Sequence, residues 1–109
     1  MTLKEIEQMI ASIGLPYVYY SFPEKQAPNL PYVIYYYPNS ANFSADDAVY
    51  KKKFALNIEL YTKEKDFLYE EQVEAVLDLN NLVWDKSEAY LNTENMYEVL
   101  YQTEIFING

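Results

Sequence analysis

Two pairs of adjacent carboxylates, Asp46-Asp47 and Glu70-Glu71, are the residues in this sequence that most suggest acid–base or metal chemistry. Adjacent residues on a helix point in different directions, so Glu70 and Glu71 do not line one small site. The segment around Asp46-Asp47 lacks the spaced oxygen ligands and the central glycine of a calcium loop. We therefore expect no metal ion, and we interpret the first pair as a loop surface and the second as part of a solvated helix face.

Several residue types on which enzymes depend are missing. The chain has no Cys and no His, and its basic residues are all lysine. The usual nucleophilic thiolate, the general base near neutral pH and the commonest metal ligands are therefore absent. Its two glycines, Gly14 and Gly109, cannot form a phosphate-binding loop or a dinucleotide fingerprint. These absences predict a protein that is not an enzyme and binds no cofactor.

The charge balance is strongly acidic. With 17 acidic residues against 8 lysines, the formal net charge is −9, and the averaged field repels a phosphate backbone. We therefore expect no sequence-specific binding of nucleic acid. No stretch approaches the ~20 apolar residues of a membrane span, and the N-terminus does not resemble a signal peptide. We expect a soluble protein that is made in a cytoplasm and has no membrane partner.

Tyrosine is the most unusual component, with 13 residues. In the predicted strand Tyr32–Tyr37, large side chains alternate on both faces, so no polar face remains. Two helices can cover only one face of a sheet, and an uncovered aromatic face is typical of a partner interface. A locally covered core is the alternative. The candidate interface residues are Tyr19, Tyr35, Tyr37, Asn39, Asp46, Asp47, Lys51 and Lys53.

The basic run Lys51–Lys53 allows two interpretations. Lysines on a strand can protect a sheet edge and keep the protein soluble. They can also contact an acidic surface of a partner. In either case, alternation along the strand places Lys51 and Lys53 on one face and Lys52 on the other.

Local sequence signals define the elements of the first half. Residues Thr2 to Glu5 form a capping box that begins an amphipathic helix, and Gly14 offers its left-handed end. The proline-containing segment 23–31 is typical of an exposed connection between two strands. The predicted strands of this half are Tyr17–Phe22, Tyr32–Tyr37 and Val49–Tyr61.

The second half adds a helix and a hairpin. Thr62 is predicted to cap a helix over residues 64–80, which ends at Asn80-Asn81. Strands Leu82–Tyr90 and Met96–Ile107 then form a closing hairpin. The order αβββαββ predicts one α+β domain over residues 1–109, in which two helices pack on one face of a mainly antiparallel sheet.

Four stretches carry a resemblance to a known family: IASIGLPYVYYSF, APNLPYVIYYYPNSANFSADD, ALNIELYTKEKD and MYEVLYQTEIF. In the residue patterns of these stretches and in their order, the chain resembles the small tail-completion, or tail-terminator, proteins of long-tailed bacteriophages and prophages of Gram-positive bacteria. The resemblance covers nearly the whole chain. It implies an α+β subunit that assembles into a ring, commonly a hexamer, which caps the tail tube and receives the head connector. No catalytic residue is carried over from the family.

The same resemblance implies the partners and the location. The partners would be further copies of the chain, the major tail-tube protein and the head-connector protein. The protein would lie at the head-proximal end of the tail in the virion, and in the host cytoplasm during assembly. A ring around DNA should not bind phosphates, which fits an acidic chain without arginine. A ring also needs two complementary patches. The tyrosine strands are one candidate, and the segment Asn39–Asp47 together with Lys51–Lys53 is the other.

Two other functions stay open at the level of sequence. An acidic inhibitor that mimics nucleic acid and acts on a host protein would need its carboxylates on one continuous face, whereas here they are scattered along the chain. A small ligand-binding module or enzyme would need a deep pocket, with Tyr, Lys or carboxylates as its acids and bases.

Overall fold

The computed structural model describes residues 1–23, 26–39, 43–44 and 50–107. Five strands form one sheet in the order β1-β2-β4-β6-β5, and the short β3 pairs with β4 off this path. The elements are α1 (Leu3–Ala11), β1 (Tyr17–Tyr19), β2 (Tyr32–Tyr36), β3 (Phe43–Ser44), β4 (Tyr50–Thr62), α2 (Phe67–Leu79), β5 (Trp84–Leu91) and β6 (Met96–Ile107). The predicted α+β class and the predicted order of the main elements are confirmed, and β3 is an addition.

Helix α1 begins and ends as the sequence predicts. The Thr2 hydroxyl accepts a hydrogen bond from the Glu5 amide at 3.1 Å, and the Glu5 carboxylate accepts one from the Thr2 amide at 2.8 Å. After the helix, Gly14 adopts a φ of +89°, where a side chain would be strained. Ile6 and Ile10 are fully buried, so this side of α1 faces the sheet.

Strand β1 is shorter than predicted and runs parallel to β2. It ends because Tyr20 turns the chain with a φ of 71°. The backbone nitrogen of Tyr20 then donates to Tyr35 at 2.9 Å. The other pairings among the described residues are antiparallel. Because β1 follows α1 directly, this parallel pair holds the helix beside the edge of the sheet.

The two long strands β4 and β6 form the centre of the core. Ile58 lies opposite Tyr101, and Leu60 lies opposite Val99. Residues at paired positions point to the same face, so these side chains make one apolar surface. The helix residues Ile6, Ile10, Val73 and Leu77 are buried in the same cluster. Both helices therefore cover this side, which we call the helix side.

Helix α2 begins later than predicted. Thr62 is the last residue of β4 and does not cap the helix, since its pairing with Tyr97 continues the strand. Asp66 is the cap instead, because its carboxylate accepts a hydrogen bond from the Tyr69 amide at 3.1 Å. The predicted end is confirmed, with Asn80 at the C-cap and Asn81 at a positive φ of 58°. Within the described residues, neither helix has the length and apolar character to cross a membrane.

The opposite side of the sheet has no helix over it in the described residues, and we call it the open face. It mixes aromatic, aliphatic and carboxylate side chains. Its members on the three central strands are Tyr32, Ile34, Tyr36, Lys53, Ala55, Asn57, Glu59, Tyr61, Glu98, Leu100, Gln102, Glu104 and Phe106. Its polar composition distinguishes it from the helix side.

Replacing Ile58 with alanine should lower the free energy of unfolding of the subunit by about 2 to 5 kcal/mol, because the side chain is fully buried beneath both helices. The matched control Leu79→Ala, at an exposed position of α2, should change it by less than about 0.5 kcal/mol. Chemical denaturation followed by circular dichroism measures both. Equal losses would contradict the assignment of the helix side as the core.

Candidate functional site

The tyrosine-rich strands β1 and β2 lie beside the first turns of α1 at one edge of the sheet. Tyr19 pairs with Tyr35 in parallel register, so their rings project from the same face. The ring centroid of Tyr19 lies 5.2 Å from that of Tyr35 and 5.7 Å from that of Tyr37. Tyr37 in turn contacts Phe54 of β4, with 5.7 Å between centroids. Four aromatic rings therefore form one continuous surface.

These rings line an open groove of about 560 Å³ beside α1, which we call the tyrosine groove. Its lining residues are Leu3, Lys4, Glu7, Tyr19, Tyr35, Tyr37 and Phe54. Tyr19 is 47% exposed and Leu3 is also exposed, so apolar surface on both sides of the groove reaches solvent. Tyr35 is only 6% exposed and belongs to the hydrophobic core, so the subunit itself covers most of its ring.

The hydroxyl groups of Tyr35 and Tyr37 stay protonated at neutral pH. Burial raises the pKa of Tyr37 to about 12, and the neighbouring Tyr35 and Tyr19 contribute to the rise. Burial also raises the pKa of Tyr35, with Glu7 as the next cause. A protonated phenol offers a hydrogen-bond donor on an apolar ring, a combination that is common at protein interfaces. The groove is therefore suited to recognition.

Asn39 and Lys53 lie away from the groove. Asn39 follows β2 and is exposed, and its backbone oxygen accepts a hydrogen bond from the Ala55 nitrogen at 3.1 Å. Lys53 lies on the open face, where it forms an ion pair with Glu104. Because β4 is an interior strand, its lysines do not protect a sheet edge, and that interpretation of the basic run is wrong.

The other candidate residues fall in or beside parts of the chain that are not described. The backbone of Lys51 pairs with Phe43 of β3. Asp46 and Asp47 lie outside the described residues. The structure thus brings Tyr19, Tyr35 and Tyr37 together and places Lys53 on the opposite face. The interface roles of all these residues stay predictions.

A second apolar surface, which the sequence analysis missed, lies on α2 at the other side of the molecule. Phe67 and Leu68 are exposed at the start of the helix, and Leu68 is 76% exposed. Leu79 and Val83 are exposed near its end. We call these four residues the α2 surface. The sequence contained a signal for this surface, because its three helical members are large apolar residues outside the buried stripe of α2, and Val83 follows the end of the helix.

Glu70 is buried, so the prediction that it belongs to a solvated face is wrong. It is 2% exposed and lies between two lysines. Lys65 Nζ lies 2.8 Å from Glu70 Oε2, and Lys86 Nζ lies 3.1 Å from Glu70 Oε1. The lysines come from the loop before α2 and from β5, and their charges allow the carboxylate to face the sheet. Glu71 is exposed, as predicted.

The cluster around Glu70 attaches α2 to β5 and β6. Glu74 accepts hydrogen bonds from Lys86 at 2.8 Å and from the Tyr101 hydroxyl at 2.7 Å. The bond to Glu74 raises the pKa of Lys86, although burial opposes the rise. A lysine that acts as a base or nucleophile needs a lowered pKa, so this arrangement favours a structural role. In the described ranges, no group of three or more acidic side chains is placed to hold a metal ion.

The fold is similar to that of a virion protein. The chain matches one from the virion of a native gene transfer agent (GTA) particle with a TM-score of 0.60 and 14% sequence identity. The match covers 98% of this chain and 89% of the other. At this identity the likeness shows a shared fold and transfers no residue roles. No family model matches the sequence, and no curated protein matches it.

Replacing Glu70 with alanine should lower the free energy of unfolding by about 2 kcal/mol. The change leaves two lysines without their shared partner, but both are partly exposed and regain some hydration, so the loss stays below that of a fully buried pair. Glu71→Ala, one position away on the exposed side, is the matched control and should change stability by less than about 0.5 kcal/mol. Urea denaturation of both variants provides the measurement. Similar values would mean that the buried cluster does not stabilise the fold.

Proposed function

We propose that the protein is a structural subunit of a phage-like virion, and that it forms a ring which completes the tail tube and joins it to the head connector. Two findings support the proposal. The first is the likeness in fold to a chain of the GTA virion. The second, which carries the proposal of self-assembly, is the presence of two exposed apolar surfaces at opposite ends of the strand order.

The positions of these surfaces fit a ring better than a two-fold dimer. The tyrosine groove lies beside β1 and β2, and α2 with its exposed residues packs over β5 and β6. A two-fold dimer buries the same patch on both copies, whereas a ring buries one patch of each copy against a different patch of the next. We propose that Phe67 and Leu68 of one copy enter the tyrosine groove of its neighbour.

The charge distribution supports a position beside DNA that is not bound tightly. The chain has a net charge of −9 and no arginine, so it offers no forked donor for phosphate. On the open face, Glu59, Glu98 and Glu104 outnumber Lys53, which is itself paired with Glu104. Such a surface lets DNA slide past. The head-proximal end of the tail, with the tail-tube and head-connector proteins as partners, is the location that the proposal implies.

Tyr19→Ala and Leu68→Ser should each weaken self-association, or binding to tail-tube subunits of the same phage, by at least about tenfold. Both side chains are exposed in the subunit, so the free energy of unfolding should change by less than about 1 kcal/mol. Sedimentation velocity over a range of concentrations, with and without tail-tube protein, measures assembly. Electron microscopy of the mixture shows whether rings cap the tubes.

Phe106→Ala is the control for this experiment, because Phe106 is also 47% exposed but lies on the open face. It should assemble like the unmodified protein. Tyr35→Ala is unsuitable as an interface probe, since its buried ring should cost about 3 to 5 kcal/mol of stability, as for other large buried side chains. The proposal would be contradicted by a protein that stays monomeric at high concentration and does not bind tail-tube subunits. It would also be contradicted if Tyr19→Ala and Leu68→Ser both assembled like the unmodified protein.

A further inference from the structure

A chain of hydrogen bonds on the open face connects β2, β4 and β6 around Tyr61. The Tyr61 hydroxyl lies 3.0 Å from Glu59 Oε1 and 2.7 Å from Glu98 Oε2. The Tyr36 hydroxyl donates to Glu59 Oε2 at 3.5 Å, and Asn57 Nδ2 donates to Tyr36 at 3.2 Å. Asn57 and Tyr61 are buried, although no described helix covers this face. We call these five residues the Tyr61 network.

The Tyr61 hydroxyl contacts both carboxyl groups of the network but has too few hydrogens to bond to both if both are ionised. The Tyr61 hydroxyl has a single hydrogen, so it donates to either Glu59 or Glu98. Burial, followed by the hydrogen bond to Glu98, raises the pKa of Tyr61, so that hydrogen is retained at neutral pH. With both carboxyl groups ionised, the second contact would join two oxygen atoms with no hydrogen between them, beside two negative charges.

We propose that Glu59 and Glu98 share one proton through the Tyr61 hydroxyl, so that the folded protein holds a proton that exposed carboxyl groups release. In this arrangement the protonated Glu59 donates to Tyr61, and Tyr61 donates to Glu98. Every oxygen–oxygen contact along the chain then contains a hydrogen. The network becomes a pH-sensitive element of the open face, whichever function the protein has.

Among the described residues, no lysine forms an ion pair with the network that could replace this proton. Lys53 lies six residues along β4 from Glu59, which is about 20 Å, and pairs with Glu104. From β5, the uncharged Ser87 and Ala89 lie in the rows of Glu59 and Glu98, and Asp85, which adds no cation, lies in the row of Asn57. The titratable side chains on or beside the network are Tyr20, Tyr32, Tyr36, Glu59, Tyr61, Lys63, Asp85, Glu94 and Glu98.

The electrostatics of Glu59 agree with this geometry and give the sign of the pH dependence. Burial raises the pKa of Glu59 above its ordinary 4.5, the hydrogen bond from Tyr61 opposes the rise, and the charge of Glu98 adds to it. A carboxyl group with a raised folded-state pKa stabilises the fold fully below its unfolded pKa. That stabilisation is lost as the pH rises through the folded-state pKa. The network should therefore favour folding in mild acid and lose this contribution toward neutral pH.

The variant Glu59→Gln tests the proposal, since it removes the titrating group and keeps an N–H that can donate to Tyr61. The measurement is the folding equilibrium constant of the unmodified protein divided by that of E59Q, from urea denaturation between about pH 4.5 and about pH 7.5. We expect this ratio to fall as the pH rises. The total fall is tenfold for each unit by which the pKa of Glu59 in the folded state exceeds its pKa in the unfolded state. A ratio that stays constant or rises with pH overturns the proposal.

Glu104→Gln is the matched control, because it removes one negative charge from the same face at a position where Lys53 favours the ionised carboxylate. The ratio for this control should not fall with rising pH. A fall equal to that of E59Q would assign the effect to the net charge of the protein and would overturn the shared proton.

Carbon-13 NMR of the glutamate carboxyl groups in the unmodified protein keeps the test valid if E59Q does not fold. Glu59 and Glu98 should titrate as a coupled pair, with one of the two steps above the ordinary glutamate range. Tyr61→Phe, which removes the shared donor, should reduce the coupling between the two steps. Independent titration of both groups at ordinary values in the unmodified protein excludes a shared proton.

Discussion

The pairing of β4 with β6 is the constraint on which the rest of the structure depends. Its register runs without interruption from Lys52 opposite Ile107 to Thr62 opposite Tyr97. Because side chains alternate along a strand, this register places Ile58 and Leu60 under the helices and Glu59 on the open face. A shift by one residue would exchange the two sets and leave both helices without an apolar surface to cover.

The two faces of the sheet accommodate buried and partly buried carboxyl groups in different ways. On the helix side, Glu70 reaches the core because Lys65 and Lys86 supply opposite charges. On the open face, Glu59 and Glu98 are joined by a tyrosine hydroxyl, and no described lysine pairs with either. Ion pairing supports the first arrangement, and a shared proton is the chemistry we propose for the second. Because the chain has 17 acidic residues and only 8 lysines, few lysines are available to pair with carboxylates on both faces.

The same topology distributes the surfaces available to partners. The sheet places the tyrosine groove at the β1 side and α2 over β5 and β6, so apolar side chains reach solvent at both ends of the strand order. Two different surfaces on one subunit allow contacts that repeat in one direction around a closed ring. The ring that we propose would use these two ends of the strand order.

The sequence by itself determined the class of fold and the order of the main elements, because capping boxes and alternation are local signals. The strand Met96–Ile107 and the caps at Thr2 and Asn80 follow from such signals. Only the tertiary structure decided that Glu70 is buried, because its lysine partners belong to a loop and a separate strand. It also decided that Tyr35 is covered while Tyr19 stays exposed, since an edge strand has neighbours on one side only. Burial and charge pairing depend on residues distant in the chain, and local patterns do not record them.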